Sequence, residues 1–537
     1  MHPVYGIIFN AMENIKSKKN TRKIYALALA VLLSALTITA STDFAFAKDE
    51  NPSEIRMGNT VRVGLKYDSS AVESFSLSCD GGFSIAEFSR NGDMTVLQNT
   101  SATEITVSAV DGAVSIIDAS DGTVLLSDMS TQNVIVPRFY SEGYVLAMNK
   151  TSYRGGFSYT LTAAGKMNVI NVLSVEQYLY GVVPSEIGAS APLEAQKAQA
   201  VAARSFTVQT IEKGGRHGSS GFDVCSGTHC QVYRAYAGEK ELSSRAVDET
   251  AGECIWYEGK VVDAYYAKNS GGYTQNSEDV WSAKTGYLRG KPDPYGELYK
   301  WEKTYTFSEI ENILDSAGKS VGTLEKVEIT KRLANYNVKE LTFTGSAGTA
   351  KVTGEGVRSL FGAGNVKSTM FAFDGSAIYV TVDENGKLLG ESGPAAGETP
   401  AASLKGKYVY SAGGFSSIAS ETAFAIGESG QTTSLPEDRI YAVSASGTAA
   451  LISEGRKKEA VSDTAFSPAG ASKNSDGTYT IPRISGSDVV TSGNVRFTGL
   501  GYGHGIGMQQ DGAIAMAKQG FSYTDILKFY FTDIEVK

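Results

Sequence analysis

Residues 174–208, SVEQYLYGVVPSEIGASAPLEAQKAQAVAARSFTV, predict a short helix, a tight irregular turn and a long Ala-rich helix. Ser174 with Gln177 three residues on has the pattern of a capping box, and Gly181 stands where a left-handed helix stop would fall, which makes the first helix about two turns long. Pro184 lacks a backbone donor and fixes φ, so Ser185 and Glu186 are assigned to a loop rather than to either helix. Pro192 suits the first turn of the second helix, with Glu194 on the favourable end of its dipole. Ala195, Ala198 and Ala202 then recur at helical spacing, with Val201, Ser205 and Val208 on adjoining rows, a small-residue face that another element can approach closely. Gln199 and Arg204 are polar among these alanines, and on pattern alone they belong to the solvated side of an amphipathic helix. Glu186, on the same grounds, is an ordinary solvated carboxylate.

YLYGVVPSE (178–186) followed by AQKAQAVAARSF (195–206) closely resembles the core of the SpoIID/LytB family, the stage II sporulation protein D type of peptidoglycan lytic transglycosylase and its amidase-enhancer relatives. GYGHGIGMQQDGA (501–513) is a third signature of the same family. The resemblance implies that Glu186 is the catalytic acid/base and that the substrate is the glycan of the bacterial cell wall. It implies that Ser270, Gly271 and Gly272, with Thr274 in the family's place and Tyr273 in a variable one, line the groove beside that glutamate. His504 and Gln509 would line it as well. Gln199, Arg204 and Ser205 complete the expected substrate-binding set, which would hold sugar, acetamido or lactyl groups. Each has a plainer reading: the glycine pair as a turn, His504 as a hydrogen-bonded structural histidine.

An ordinary glycosidase needs two carboxylates flanking the bond, about 5 Å or about 6.5–9.5 Å apart. No second carboxylate stands inside the signatures, and Glu278, Asp279 and Asp293 are those the fold could bring close. A lytic transglycosylase relaxes the requirement, because the muramic acid C6 hydroxyl is itself the nucleophile and one Glu can serve first as acid and then as base. Such a Glu needs a raised pKa, and Val182, Val183, Pro184 and Ile187 supply apolar surroundings. The competing reading is a non-catalytic enhancer that binds peptidoglycan and presents it to a cell-wall amidase. No cofactor is expected for catalysis.

His217, Cys225, His229 and Cys230 fall within fourteen residues of a chain that has only four histidines and four cysteines. Three readings compete. Two His and two Cys make a normal tetrahedral zinc set, although the adjacency of His229 and Cys230 is not a zinc-finger spacing. A Cys225–Cys230 disulfide suits an exported protein, although so small a ring adds little loop-closure entropy. A Cys–His nucleophile would need an oxyanion site that nothing in the sequence supplies. Members of the resembling family include examples with zinc in this segment, which implies a structural ion beside the Glu186 loop.

The N-terminus carries Lys16, Lys18, Lys19, Arg22 and Lys23, an apolar run from Ile24 to about Ala40 and then Ala45-Phe46-Ala47. This is the pattern of a secretory signal peptide cleaved after Ala47, with Met12 as an alternative start and an uncleaved membrane anchor as the runner-up. The protein is therefore expected outside the cytoplasm, associated with the cell wall, and at a membrane only if that segment stays. The net charge of −9 argues against nucleic acid as a partner. The fold class expected is α+β: a β-rich SpoIID-like catalytic module with a few packed helices (149–375 and 492–537), a β-rich accessory domain (48–148), and a linker with an inserted β-rich subdomain (376–491). MFAFDG (370–375) and VRFTGLG (495–501) alternate as two partners of one hairpin parted by that insertion. Glycan strands and a cell-wall amidase are the expected partners.

Overall fold

The computed structural model describes residues 60–88, 94–281 and 283–391, strand segments between 408 and 454, and residues 472–537. The expected signal segment and most of the linker at 386–404 lie outside the described residues. Eight α-helices occur among the described residues: α1 (Val175–Val183), α2 (Leu193–Glu212), α3 (Glu241–Asp248), α4 (Ser277–Val280), α5 (Phe307–Ser316), α6 (Gly354–Phe361), α7 (Gln510–Lys518) and α8 (Tyr523–Tyr530). None is long and apolar enough to cross a membrane. The remainder is mostly strand, so the class is α+β and β-rich as expected.

MNVINVLS (167–174) is buried at every position, the signature of a strand covered on both faces. It pairs antiparallel with Gly156–Leu161 on one side, as its alternation predicts, and with Thr60–Lys66 on the other. The latter strand also runs parallel to Val224–Cys225. These strands form a seven-stranded sheet that packs on a six-stranded sheet through Phe75, Leu77, Ile105, Val107, Phe83, Ile135 and Phe157. The expected boundary between residues 148 and 149 is thus a correction: it falls between strands of shared sheets, and the first N-terminal strand is wedged between two strands of the expected catalytic module.

Strand Met167–Ser174 delivers the chain into α1. Ser174 Oγ accepts from the Gln177 amide (3.1 Å), but the Gln177 side chain takes the Tyr140 hydroxyl (3.1 Å) instead of closing a capping box. Gly181 is not a left-handed stop, since α1 continues to Val183; an added Cβ would lie 2.8 Å from the Tyr233 ring. The glycine permits a close approach rather than a turn. Beyond it, α2 is buried at every residue from Ala198 to Val208. Ala195, Ala200 and Ala203 face the cluster around Tyr178 and Leu179, while Ala198, Val201 and Ala202 face one built by Ile506, Met508, Ala513 and α8. The small residues therefore serve every side of the helix, and the solvated face assigned to Gln199 and Arg204 does not exist: both have 0% exposure.

Phe371–Val382 pairs with Asn494–Leu500, placing Phe371 opposite Gly499 and Phe373 opposite Phe497, the parted hairpin read from the sequence. The same strand then runs on past residue 376 to pair with Tyr479–Ser487. The insertion is thus stemmed on a strand continuous with the module, and its start at 376 is corrected outward. The strand segments between 408 and 454 form three successive antiparallel hairpins.

Gly181→Ala gains about 1 kcal/mol in helix propensity, while overpacking against Tyr233 costs about 1–3 kcal/mol. A net loss of stability in urea denaturation is the expected result, and a net gain would show that Tyr233 yields without cost.

Candidate active site

Pro184 interrupts the α-helical ladder at the end of α1, and the chain widens into a π-helical turn over Pro184–Gly188 instead of a free loop. The Ser185 hydroxyl occupies the Gly181 carbonyl at 2.7 Å. Buried Ile187 anchors the turn on the core, which leaves Glu186 pointing into a cavity of ≈ 460 Å³. Its carboxylate accepts a hydrogen bond from the Val232 amide at 2.6 Å and another from the Gln510 side chain. Burial raises the pKa of Glu186 above the usual carboxylate value, and these two donors oppose the rise without cancelling it.

Tyr265, Tyr266, Trp281 and Tyr502 form much of the cavity wall, with Arg216 and Lys268 among its cations. The Tyr265 and Trp281 ring centroids are 4.4 Å apart, and Trp281 stays 37% exposed, a flat apolar surface of the kind that sugars stack on. Glu186 is the only carboxylate lining this cavity among the described residues. None of the three suggested second acids lies on its wall. Glu278 is paired with Arg289 Nη1 at 2.8 Å, and that bond holds its pKa down at about 2. Asp293 is 1% exposed and accepts from Ser270 Oγ and the Tyr530 hydroxyl, while Asp279 accepts from Asn276.

The loop that supplies Val232 also gathers His217, Cys225, His229 and Cys230, whose ligand atoms all lie within 4.8 Å of one another. His217 Nε2 and His229 Nδ1 are 3.2 Å apart; Cys230 Sγ stands 3.5 Å and 3.6 Å from them, and Cys225 Sγ 3.9 Å from His229 Nδ1. A tetrahedral zinc with usual bond lengths has N···N edges of about 3.3 Å and N···S edges of about 3.6 Å, so this donor set fits the ion. The two thiols are free rather than disulfide-bonded. Burial and the neighbouring Cys225 push the Cys230 thiol up to about 12, the reverse of an activated nucleophile.

A family model described as Stage II sporulation protein matches residues 163–257, from the buried strand through the metal-ligand loop. The amidase enhancer of Bacillus subtilis is 29% identical over 355 residues, 66% of this chain and 39% of that protein. The stage II sporulation protein D of Bacillus subtilis is 30% identical over 162 residues, covering 26% and 46%. An uncharacterized protein of Brachyspira hyodysenteriae is 34% identical over 198 residues, covering 35% and 52%. The matched stretch, residues 163–257, is thus similar to the SpoIID family. The chain's matches cover between about two fifths and about half of the length of these three relatives.

Within this cavity the sequence-derived site residues separate into two groups. Glu186 and His504 line it. His504 Nδ1 accepts from the Ile506 amide (3.0 Å) and the backbone of Tyr266 engages the ring as well, while burial and the Arg358 charge hold its pKa down at about 4. The imidazole is therefore a neutral wall rather than a proton carrier. Gln199 lies behind the wall, its Oε1 accepting from Gln510 Nε2 at 3.3 Å, so it supports the residue that touches Glu186. Arg204 is a correction. Two bonds of 2.7 Å to Glu176 and one of 3.0 Å to the Glu253 carbonyl occupy its guanidinium inside the core, where no sugar reaches it. Ser205 is also internal, donating to the Val201 carbonyl and accepting from the Ile255 amide. Ser270, Gly271 and Gly272 form a turn tied to Asp293, with φ of 72° and 110° at the glycines, and stand off the cavity wall. Gln509 is turned inward to the Gly507 carbonyl, and its neighbour Gln510 takes the place expected of it. Gln510, Tyr265 and Tyr266 escaped the sequence reading; the only signal was their position beside the family signatures.

A carboxyl whose pKa rises on folding stabilises the fold while protonated. That contribution is complete below the unfolded value of about 4.3 and is lost as pH rises through the folded pKa. Glu186→Gln keeps an acceptor for the Val232 amide and carries no charge. It is expected to melt higher than the parent at neutral pH and to lose that advantage below pH of about 4, measured by calorimetry; a lower midpoint at neutral pH would mean that the fold favours the ionised acid.

Proposed function

We propose that this chain is a cell-wall glycan lytic transglycosylase that cleaves the MurNAc–GlcNAc bond of peptide-stripped peptidoglycan with Glu186 as its single acid/base. The observation that carries this reading is the lone carboxylate of the cavity, raised in pKa and facing an aromatic wall. Protonated Glu186 gives its proton to the glycosidic oxygen as the C1–O bond breaks. The resulting carboxylate then takes the proton of the muramic C6 hydroxyl as that oxygen closes on C1, leaving a 1,6-anhydro end. No water is consumed, so the absence of a second acid from this wall is consistent with the chemistry. His217, Cys225, His229 and Cys230 would hold a zinc ion whose four protein ligands leave no open position, which makes its role structural. It would brace the loop whose Val232 amide holds Glu186. The substrate and the basic-then-apolar N-terminus agree with action outside the cytoplasm, after a cell-wall amidase has removed the stem peptides.

A second reading, a peptidoglycan-binding amidase enhancer, is favoured by the relative of that name, which aligns with 66% of this chain. Mass spectrometry of peptide-free glycan strands separates the two. The enzyme should release anhydro-ended fragments, and Glu186→Gln should lower the rate about 10²–10⁴-fold. An enhancer would release none and would stimulate an amidase equally with either residue. Because the acid form starts the reaction, the rate should fall as pH rises through the raised pKa of Glu186; a rate that climbs through the same range would contradict the acid role.

Removal of zinc with a chelator, followed by elemental analysis, is expected to lower the melting temperature and the rate together, and re-addition to restore both. A metal-free protein with unchanged melting would refute the structural ion.

A further inference from the structure

The loop that holds Glu186 through Val232 also presents Gln231, and Gln231 is 1% exposed with its amide fully committed. Its Nε2 lies 3.3 Å from the Ala203 carbonyl and 3.0 Å from the Tyr266 hydroxyl oxygen. Its Oε1 lies 2.8 Å from Thr207 Oγ1, whose one proton it shares with the Ala203 carbonyl, also 2.8 Å away. Turning the amide over would set its oxygen against the Ala203 carbonyl oxygen, two acceptors without a proton between them. The nitrogen therefore faces Tyr266, and both of its hydrogens are used.

This assignment fixes the phenol. With an N–H donated into its oxygen, the Tyr266 hydroxyl acts as acceptor toward Gln231 and its own proton points elsewhere. Tyr266 lines the cavity beside Glu186, and no second hydrogen-bond partner of its hydroxyl occurs among the described residues. Its strand, Tyr266–Ala267, runs parallel to Met508–Gln509, with Tyr266 opposite Met508, so the residue that orients Glu186 from the other side, Gln510, follows directly from the neighbouring strand.

We propose that Tyr266 is a second catalytic residue, whose hydroxyl, oriented by Gln231, donates a hydrogen bond to an oxygen of the glycan bound against Glu186. The proposal rests on the reading of the cavity as a glycan site. Gln231 is a positioning residue: it never touches substrate and acts by keeping the Tyr266 proton free.

The test uses the full chain and peptide-free glycan strands. Tyr266→Phe removes the proton and should lower kcat/KM about tenfold to a hundredfold with unchanged melting. Gln231→Glu places an acceptor-only group against the phenol, which draws the proton away from the cavity. It should cost a similar factor, and the double variant should be no worse than either single one. Zinc content and melting are read for all three; should Gln231→Glu prove unstable, Tyr266→Phe alone decides. A rate for Tyr266→Phe within twofold of the parent, or losses that multiply in the double variant, would overturn the proposal. If the parent releases no anhydro ends, glycan binding is measured instead. Weaker binding by Tyr266→Phe then supports the contact while the transglycosylase reading fails, and equal binding overturns the contact too.

Discussion

The fold depends on the burial of one helix along its central three turns, Ala198 to Val208. α2 has neighbours on every side, and only a run of Ala with occasional Val permits backbones to approach it from so many directions. Its two burdensome residues show how closely the surroundings are specified. Arg204 is wholly inside, and a charge there is tolerable only because Glu176 meets it with two hydrogen bonds and two carbonyls take two more of its donors. Gln199 is tolerable because Gln510 reaches it. One pair ties α2 back to α1 and the other ties it forward to α7, so the helix is the element through which both flanks of the cavity are held in register.

Glu186 sits under opposed forces. Burial disfavours its charge, whereas Val232 and Gln510 favour it, and burial prevails. A carboxyl with neither donor would be a weaker acid, slower to give up its proton; one held by further donors or by a cation would already be ionised near neutrality. The surroundings keep cations out of hydrogen-bond range of the acid: Arg204 is spent in the core and Lys268 is paired with Asp511 at 3.0 Å. A pKa raised by burial and opposed by two donors would suit a group that gives up a proton and then recovers one.

Local features were legible in the chain and distant ones were not, for a physical reason. The Ser174 cap, the pairing of 156–161 with 167–174 and the His/Cys cluster depend on residues near in sequence, and the alternation of MFAFDG and VRFTGLG was strong enough to survive a long insertion. Arg204 was misplaced because an amphipathic pattern presumes one wet face, and nothing local signals that its partner lies 28 residues back and that α8 covers the far side. The pattern points to Gln509 and misses Gln510, because the chain passes from strand to helix between them, which changes the side each residue faces. The sequence places the N-terminal strand in the accessory domain because its pairing with residues 167–174 crosses about a hundred residues, and strand pairing at that range leaves no periodic trace.

The short segment from Cys225 to Val232 links the His/Cys cluster to the cavity. It begins as a strand against Thr60–Lys66, so the N-terminal sandwich sets its position. It folds back to converge with His217, and it ends by giving consecutive residues to the cavity: Gln231 to the phenol of Tyr266 and the Val232 amide to Glu186. A loop of this length has little apolar surface of its own with which to resist motion, and hydrogen bonds of 2.6–3.0 Å tolerate only small displacements. Rigid delivery of two neighbouring groups would be helped by a constraint at the other end of the segment, which is where two imidazoles and two thiols converge. Cys230 precedes Val232 by two residues, so an ion held by the four side chains would act directly on the loop whose amide holds Glu186.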